Sequence, residues 1–600
     1  MPNLNPKQSQ AVNHPGGPLL IVAGAGSGKT KTLTGRVARL IEQGTPPERI
    51  IAITFTNKAA KEMANRVKNL LALHPKQNQT TSMPFLGTFH AFGARILREE
   101  AHLLGRTPAY TIFDDGDTQN LMKSVLADLQ VNREKMPPTK ACYLVGKLKN
   151  ELNESIEDDP LLQSIYNSYE EALQKNNAFD FEDLIEKPVR LFERHAAVKT
   201  RHQNRFDHVL VDEFQDTNPA QYRLLQHLAA QHQNISAVGD DAQSIYRFRG
   251  SDFRNFLNFE KDWRDVAVIT LDQNYRSTGT ILKAASAIIA HNKLQKPKEL
   301  WTENETGETL TVIKNINAED EAENLGDLIW KTLRAEQHQA NKSSLAILYR
   351  TNAQSRAIEQ ALIVRNISYD IFGGLKFYER KEIKDIVAGL RLAHNPKDSV
   401  SRDRLQKTFG KRASVAVIQG LLESPLGENP ALIIGRFLDL GRYALQVRTK
   451  LTNPEDRLEN IKELISFASG FKDLGDFLER VSLLEGGDGK RTGNSEDTSK
   501  SNVHLMTIHL AKGLEFDRVF LTGVSEGILP HNRSLGSNDE LEEERRLMYV
   551  AVTRGRKKVT LSFWGYPSRF LYELPGDTVE FIDQSGRGTS LDEEAIYLEE

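Results

Sequence analysis

The sequence predicts an α/β protein of two parallel-sheet domains, each interrupted by a helical insertion. Three observations carry this expectation. Strand-like and helix-like runs alternate over about the first ninety residues, the alternation resumes after each of two helical blocks, and 600 residues exceed what one hydrophobic core supports. Strands that alternate with helices build parallel sheets through right-handed crossovers.

Taken in order, "PLLIVAG" reads as a buried strand, followed by a helix from Lys29, the strand "IIAITFT", and a helix through "NKAAKEMANRVKNLLAL". These make residues 1–88 the first part of the first sheet domain. Residues 89–186 change to helical runs with polar faces and no clear strand, the mark of an insertion. "HVLVDEF", "ISAVGD" and "VAVITLDQ" return to strand patterning and complete that domain over 187–275. The second sheet domain opens over 276–380 with "TLTVIKN" and "LAILYRT", gives way to a shortened helical insertion over 381–502, and resumes over 503–583 with "VHLMTIH" and "RVFLTGV". Residues 486–502, "GGDGKRTGNSEDTSKSN", read as a flexible loop, and 584–600 as an acidic tail.

Composition narrows the function classes. Hydrophobic content of 39% and charged content of 26% are ordinary for a soluble globular protein. The single cysteine, Cys142, excludes an internal disulfide framework and a four-cysteine metal site. No apolar run approaches about 18 residues, and "MPNLNPKQSQAV" lacks a signal-peptide layout, so a cytoplasmic location without membrane contact is expected. The net charge of -3 does not advertise nucleic-acid binding, but acidic runs such as "DELEEE" can mask a local basic groove.

Two motifs carry phosphate chemistry. In "LLIVAGAGSGKT" a strand runs into a Gly-rich turn and a helix start. Backbone N–H groups from Ala23, Gly24, Ala25, Gly26, Ser27 and Gly28 can wrap a phosphate, Lys29 can reach the outer phosphates, and the Thr30 hydroxyl can hold magnesium, with Lys31 following. Ala23 stands where the strict pattern has its first glycine. "HVLVDEF" ends a buried strand in Asp212 and Glu213, so one carboxylate can hold the metal while the other deprotonates a water. A third stretch, "VGDDAQSIYRFRGSD", places acids and an amide at a strand exit and then alternates aromatics with arginines, a surface suited to stacking bases and neutralising phosphates.

At nearly full length the chain resembles the superfamily 1 DNA helicases of the UvrD, Rep and PcrA type. "LNPKQSQAV", "AGAGSGKT", "TFTNKAA", "GTFHAF", "DEFQDTN", "VGDDAQSIYRFRG", "LDQNYRST", "TIHLAKGLEF" and "YVAVTRGRKK" occur in the family's order. The resemblance implies two RecA-like P-loop domains, ATP and Mg2+ as cofactors, and ATP-driven movement 3′ to 5′ on single-stranded DNA. It implies that Gln8 reads the adenine edge, Tyr275 stacks on the base and Glu515 accepts from the ribose. Gln243 would sense the γ-phosphate, with Arg276 and Arg554 as arginine fingers supplied from the second domain.

It also implies a single-strand track over Phe55, Asn57, His90, Tyr246, Phe248, Arg249, Arg350, Asn352, His509 and Phe570. The expected partners are single-stranded DNA and 3′-tailed duplex, with the chain a monomer or weak dimer in the bacterial cytoplasm or nucleoid and acting in repair, recombination or replication restart. Four positions depart from the family pattern: Phe248 replaces a usual Trp, Lys31 an arginine, Gly555 an alanine, and "QKTFGKRASVAVIQGLL" lacks the Gly-Ile-Gly turn that grips duplex. The last motivates an alternative, a translocase that displaces proteins but unwinds poorly. An ATP-gated DNA-binding scaffold is the alternative from another class, and the intact Lys29, Asp212 and Glu213 argue against it.

Overall fold

The computed structural model describes residues 4–72, 82–132, 134–153, 159–337, 342–373, 375–396, 398–424, 428–486 and 502–585. The chain divides into two compact units. The first comprises Met1–Leu282 and Ile289–Glu305, the second Lys283–Ile288 and Thr306–Glu600. The expected boundary between residues 275 and 276 therefore falls too early, because the chain beyond the last strand of the first sheet keeps packing on that sheet's own loops.

In chain order the first unit holds β1 (Leu19–Ala23), β2 (Ile50–Thr54), β3 (Phe85–Thr88), β4 (Thr111–Ile112), β5 (Ala178–Phe179), β6 (His208–Val211), β7 (Ile235–Gly239) and β8 (Ala267–Leu271). Six of these form one parallel sheet in the order β3-β2-β6-β7-β1-β8. The period-two alternation of a strand divides β1 between two cores. Leu19, Ile21 and Ala23 pack with Leu33 and Val37 of helix Lys29–Glu42. Leu20 and Val22 join Phe89, Phe92 and Phe214 on the opposite face. With both faces covered, the central strands are apolar throughout. Neighbouring β6, β7 and β1 end close together, with Val22 opposite Gly239 at the end of β7 and Val211, the last residue of β6, opposite Ala237, so the loops that follow them share one edge.

The insertion carries helices Asp115–Asp128, Pro138–Glu151 and Pro160–Lys175 around Met122, Leu126, Ile165 and Leu173. It also contains a strand pair that periodicity did not show: β4 and β5 are two residues each and form a parallel ladder. Two residues are too few to display alternation.

The second unit continues with β9 (Leu310–Asn315), β10 (Leu345–Tyr349), β11 (Asp370–Ile371), β12 (Val503–Thr507), β13 (Phe516–Leu521), β14 (Gly555–Trp564) and β15 (Val579–Asp583). All pair in parallel, in the order β11-β12-β10-β13-β14-β9-β15. The second insertion runs from helix Lys381–His394 to helix Leu474–Gly486 around Ile386, Leu390, Phe437, Leu464 and Phe477. Within "QKTFGKRASVAVIQGLL", Gly410, at φ 82°, joins helices Ser399–Phe409 and Lys411–Leu422. Apart from Gly486, Asn502, Gln584 and Ser585, the expected loop over 486–502 and tail over 584–600 lie outside the described residues. No described helix is long and apolar enough to cross a membrane.

Candidate functional site

The phosphate loop forms as the motif requires. β1 ends at Ala23, and helix Lys29–Glu42 begins behind Gly28, which caps it at φ 84°. Gly26 sits at φ 66°, and a Cβ there would lie 2.7 Å from Arg276 Cβ and 2.8 Å from Asn274 Nδ2. Only glycine tolerates both the left-handed backbone and that approach. The turn places the helix N-terminus at the loop, the end of a helix that favours an anion.

Lys29 and Thr30 face the ends of β6. Thr30 Oγ1 donates to Asp212 Oδ2 at 3.1 Å, and Lys29 Nζ lies 3.9 Å from Glu213 Oε2. Burial, and next the neighbouring Glu213, push Asp212 up to about 7. The Thr30 and Asp212 oxygens are thus a pair that could hold a hard divalent cation, whose charge would relieve the carboxyl's desolvation. Glu213 adopts φ 52°, a left-handed backbone that ends the strand and turns its carboxylate toward Lys29.

Sequence reasoning passed over Gln215, which joins this carboxylate to the next strand. Its Nε2 donates to Glu213 Oε2 at 2.6 Å while its Oε1 accepts from Asp240 N at 3.0 Å. Gly239 makes that reach possible, since a Cβ there would stand 2.5 Å from Gln215 Oε1. Asp240 in turn accepts from Gln243 Nε2 at 2.5 Å and faces Lys298 Nζ at 2.9 Å. Burial works against its charge, but Lys298 and then Lys29 hold its carboxyl below the usual range. The signal for Gln215 was its place inside "DEFQDTN". Lys298, in "LQKPKEL", carried no signal, because its partner is distant in sequence.

On the other side of the loop, Gln8 Nε2 donates to Ser27 O at 2.9 Å and Gln8 Oε1 accepts from Asn5 N at 3.2 Å. Bidentate reading of an adenine edge therefore requires exchange of these bonds. Tyr275 is 49% exposed, with its N–H on Gly26 O at 3.0 Å and its hydroxyl donating to Gln273 Oε1 at 2.7 Å, so a ring face is free to stack. Arg276 corrects the expectation of two fingers from the second domain: it belongs to the first unit. Asn274, another residue passed over, fixes it there by donating to Ala25 O at 2.7 Å and accepting from Arg276 N at 2.9 Å.

The segment after β7 continues from Gln243 into an aromatic surface. The Tyr246 and Phe248 rings lie 6.1 Å apart, and the Arg249 guanidinium sits 5.7 Å and 5.5 Å from their centroids. Phe248 is 59% exposed. His90 lies 4.2 Å from the exposed ring of Phe181, and burial lowers its pKa to about 4, so at neutral pH it offers a face and no charge. Phe55 is half-buried with an edge contact to Phe89 at 5.9 Å, and Asn57 is exposed at the start of its helix.

The chain matches known protein families. The UvrD/REP helicase N-terminal domain matches residues 4–264, and the UvrD-like helicase C-terminal domain matches 269–439 and 437–565. This chain belongs to the UvrD/Rep helicase family. It is 38% identical to an ATP-dependent DNA helicase PcrA of Bacillus subtilis, covering 97% of this chain and 87% of that protein. It is 36% identical to the protein of that name from Staphylococcus aureus, over 98% of this chain and 88% of the relative.

The second unit holds the remaining expected positions. Arg350, Asn352 and His509 follow the carboxyl ends of the paired strands β10 and β12. Arg350 is not a free cation: its guanidinium is bidentate on Glu544, at 3.1 Å and 2.7 Å. The expected stacking role of Phe570 fails, because the side chain is 0% exposed and lies under the Arg545 guanidinium. Arg554 is buried, donating to Val550 O at 3.0 Å and Leu514 O at 3.1 Å, and Glu515 is exposed and paired with Arg556.

Proposed function

We propose that this UvrD/Rep family member is an ATP-dependent DNA helicase that moves 3′ to 5′ along a single strand and separates duplex in repair, recombination or replication restart. The observation that supports this best is the continuous bonded path within one unit: Glu213, Gln215, Asp240 and Gln243, leading into Tyr246, Phe248 and Arg249. A hydrolytic base and a base-stacking surface are thus a few residues and three hydrogen bonds apart.

In this reading the phosphate loop and Lys29 hold the phosphates of ATP, and Glu213 takes a proton from the attacking water. Thr30 and Asp212 would hold Mg2+, which supplies Lewis-acid charge when bound. Arg276, on the rim of the same loop, stabilises charge on the transferring phosphoryl group, and Gln243 senses it through the bond to Asp240. The partners are single-stranded DNA and 3′-tailed duplex, bound by a monomer or weak dimer in the cytoplasm.

Strand displacement on 3′-tailed and 5′-tailed duplexes, run beside ATPase with plain single strands, tests the reading. Unwinding only from the 3′ tail is the expected result. Strong DNA-stimulated ATPase with negligible unwinding would favour the translocase reading, which the lone Gly410 in place of a Gly-Ile-Gly turn recommends. Phe248→Ala should weaken single-strand affinity by about 1 to 3 kcal/mol and reduce DNA-stimulated ATPase more than basal ATPase. Equal loss of both would remove Phe248 from the track.

A further inference from the structure

One polar contact reaches the candidate active loop from the helical insertion, at a residue that none of the nine motifs contains. Asn150 lies in the last turn of helix Pro138–Glu151, and its Oδ1 accepts from Asn218 Nδ2 at 2.8 Å. Asn218 closes "DEFQDTN" and caps helix Pro219–Ala229, its own Oδ1 accepting from Gln221 N at 2.8 Å. That cap fixes which way the Asn218 amide faces, leaving its N–H group for Asn150. The loop so held is the one that carries Glu213 and Gln215.

Asn150 is also held firmly from behind. The adjacent Lys149 is fully buried, with Nζ 2.7 Å from Glu170, 2.6 Å from Asp180 and 2.8 Å from Asp183. Two residues on, Arg190 donates to Leu152 O at 2.6 Å. The insertion therefore presents Asn150 on a rigid support, which is what transmitting a displacement requires.

A second loop converges on the same point. A Cβ at Gly250, directly after Arg249, would lie 3.9 Å from Asn150 Cβ, and Asp252 N donates to Thr217 O at 2.9 Å. Asn150 thus stands where the chain leaving Glu213 and the chain leaving the aromatic surface meet.

We propose that Asn150 is a positioning residue that joins the first helical insertion to the loop bearing Glu213 and so transmits DNA engagement to hydrolysis. The proposal rests on the helicase reading above. Asn150 touches no reacting atom and acts through Asn218.

The test is steady-state ATPase of the full chain with and without single-stranded DNA. Asn150→Leu should lower DNA-stimulated kcat about tenfold, leave KM for ATP within about twofold, and lower the basal rate much less. Asn150→Asp keeps the acceptor and should stay within about twofold of the parent. Should the leucine variant fail to fold, Asn218→Ser keeps the cap but removes the amide that meets Asn150, and should give the same split. A proportional loss of both rates, or an aspartate variant as impaired as the leucine one, overturns the proposal. A parent rate that does not rise with DNA overturns the helicase reading and this coupling together, whereas parent stimulation with an unaltered leucine variant overturns the coupling alone.

Discussion

Glu213→Gln should retain nucleotide binding and lose turnover by roughly 10²- to 10⁴-fold, the usual contribution of a general base. The amide keeps an oxygen for the Gln215 N–H that now reaches the carboxylate at 2.6 Å, so the loop geometry survives while the proton acceptor does not. A fluorescent nucleotide titration beside single-turnover hydrolysis separates the two. The neighbouring carboxyl provides a built-in control. Burial and Glu213 push Asp212 up to about 7, a shift that a cation held there would reverse. Normal turnover in Glu213→Gln together with a dead Asp212→Asn would exchange the two roles.

Lys149→Met should destabilise the first unit by about 3 to 5 kcal/mol, the cost of leaving buried Asp180 without its cation while Lys187 still meets Glu170 and Asp183. The ammonium is 0% exposed and meets Glu170, Asp180 and Asp183 within 2.8 Å. Burial disfavours its charge, yet those acids keep it protonated well beyond the normal range. The methionine fills most of the volume but pairs with none of them, so mutual repulsion of the acids adds to their desolvation. The expected readout is a lower unfolding midpoint and faster proteolysis between Pro138 and Arg194. An unfolding curve superimposed on the parent's would show that the carboxylates are satisfied without the lysine.

Much of the candidate site was legible because its parts are local. An apolar strand, glycines at a turn and a lysine at a helix start dictate the phosphate loop within a dozen residues, and "HVLVDEF" carries its own strand and its own carboxylates. That β1, β6 and β7 run parallel followed from alternation; their neighbouring order in the sheet, which brings those loops to one edge, did not. Short elements were not legible. β4 and β5, two residues each, have no periodicity, and their pairing joins Thr111 to Ala178 across most of the insertion.

The class of chemistry, the phosphate loop, the acidic pair and the two-sheet plan each arise from residues close together in the chain, and so could be read from their order. What distant residues do to one another emerged with folding. It placed Arg276 beside Gly26, gave Asp240 its counter-ion Lys298, tied Arg350 to Glu544, and buried Phe570 beneath Arg545. A stacking phenylalanine and a core phenylalanine are the same letter, and so are a phosphate-binding arginine and a paired one. Desolvation and a partner brought in from far along the chain separate them, and both exist only once the chain has folded.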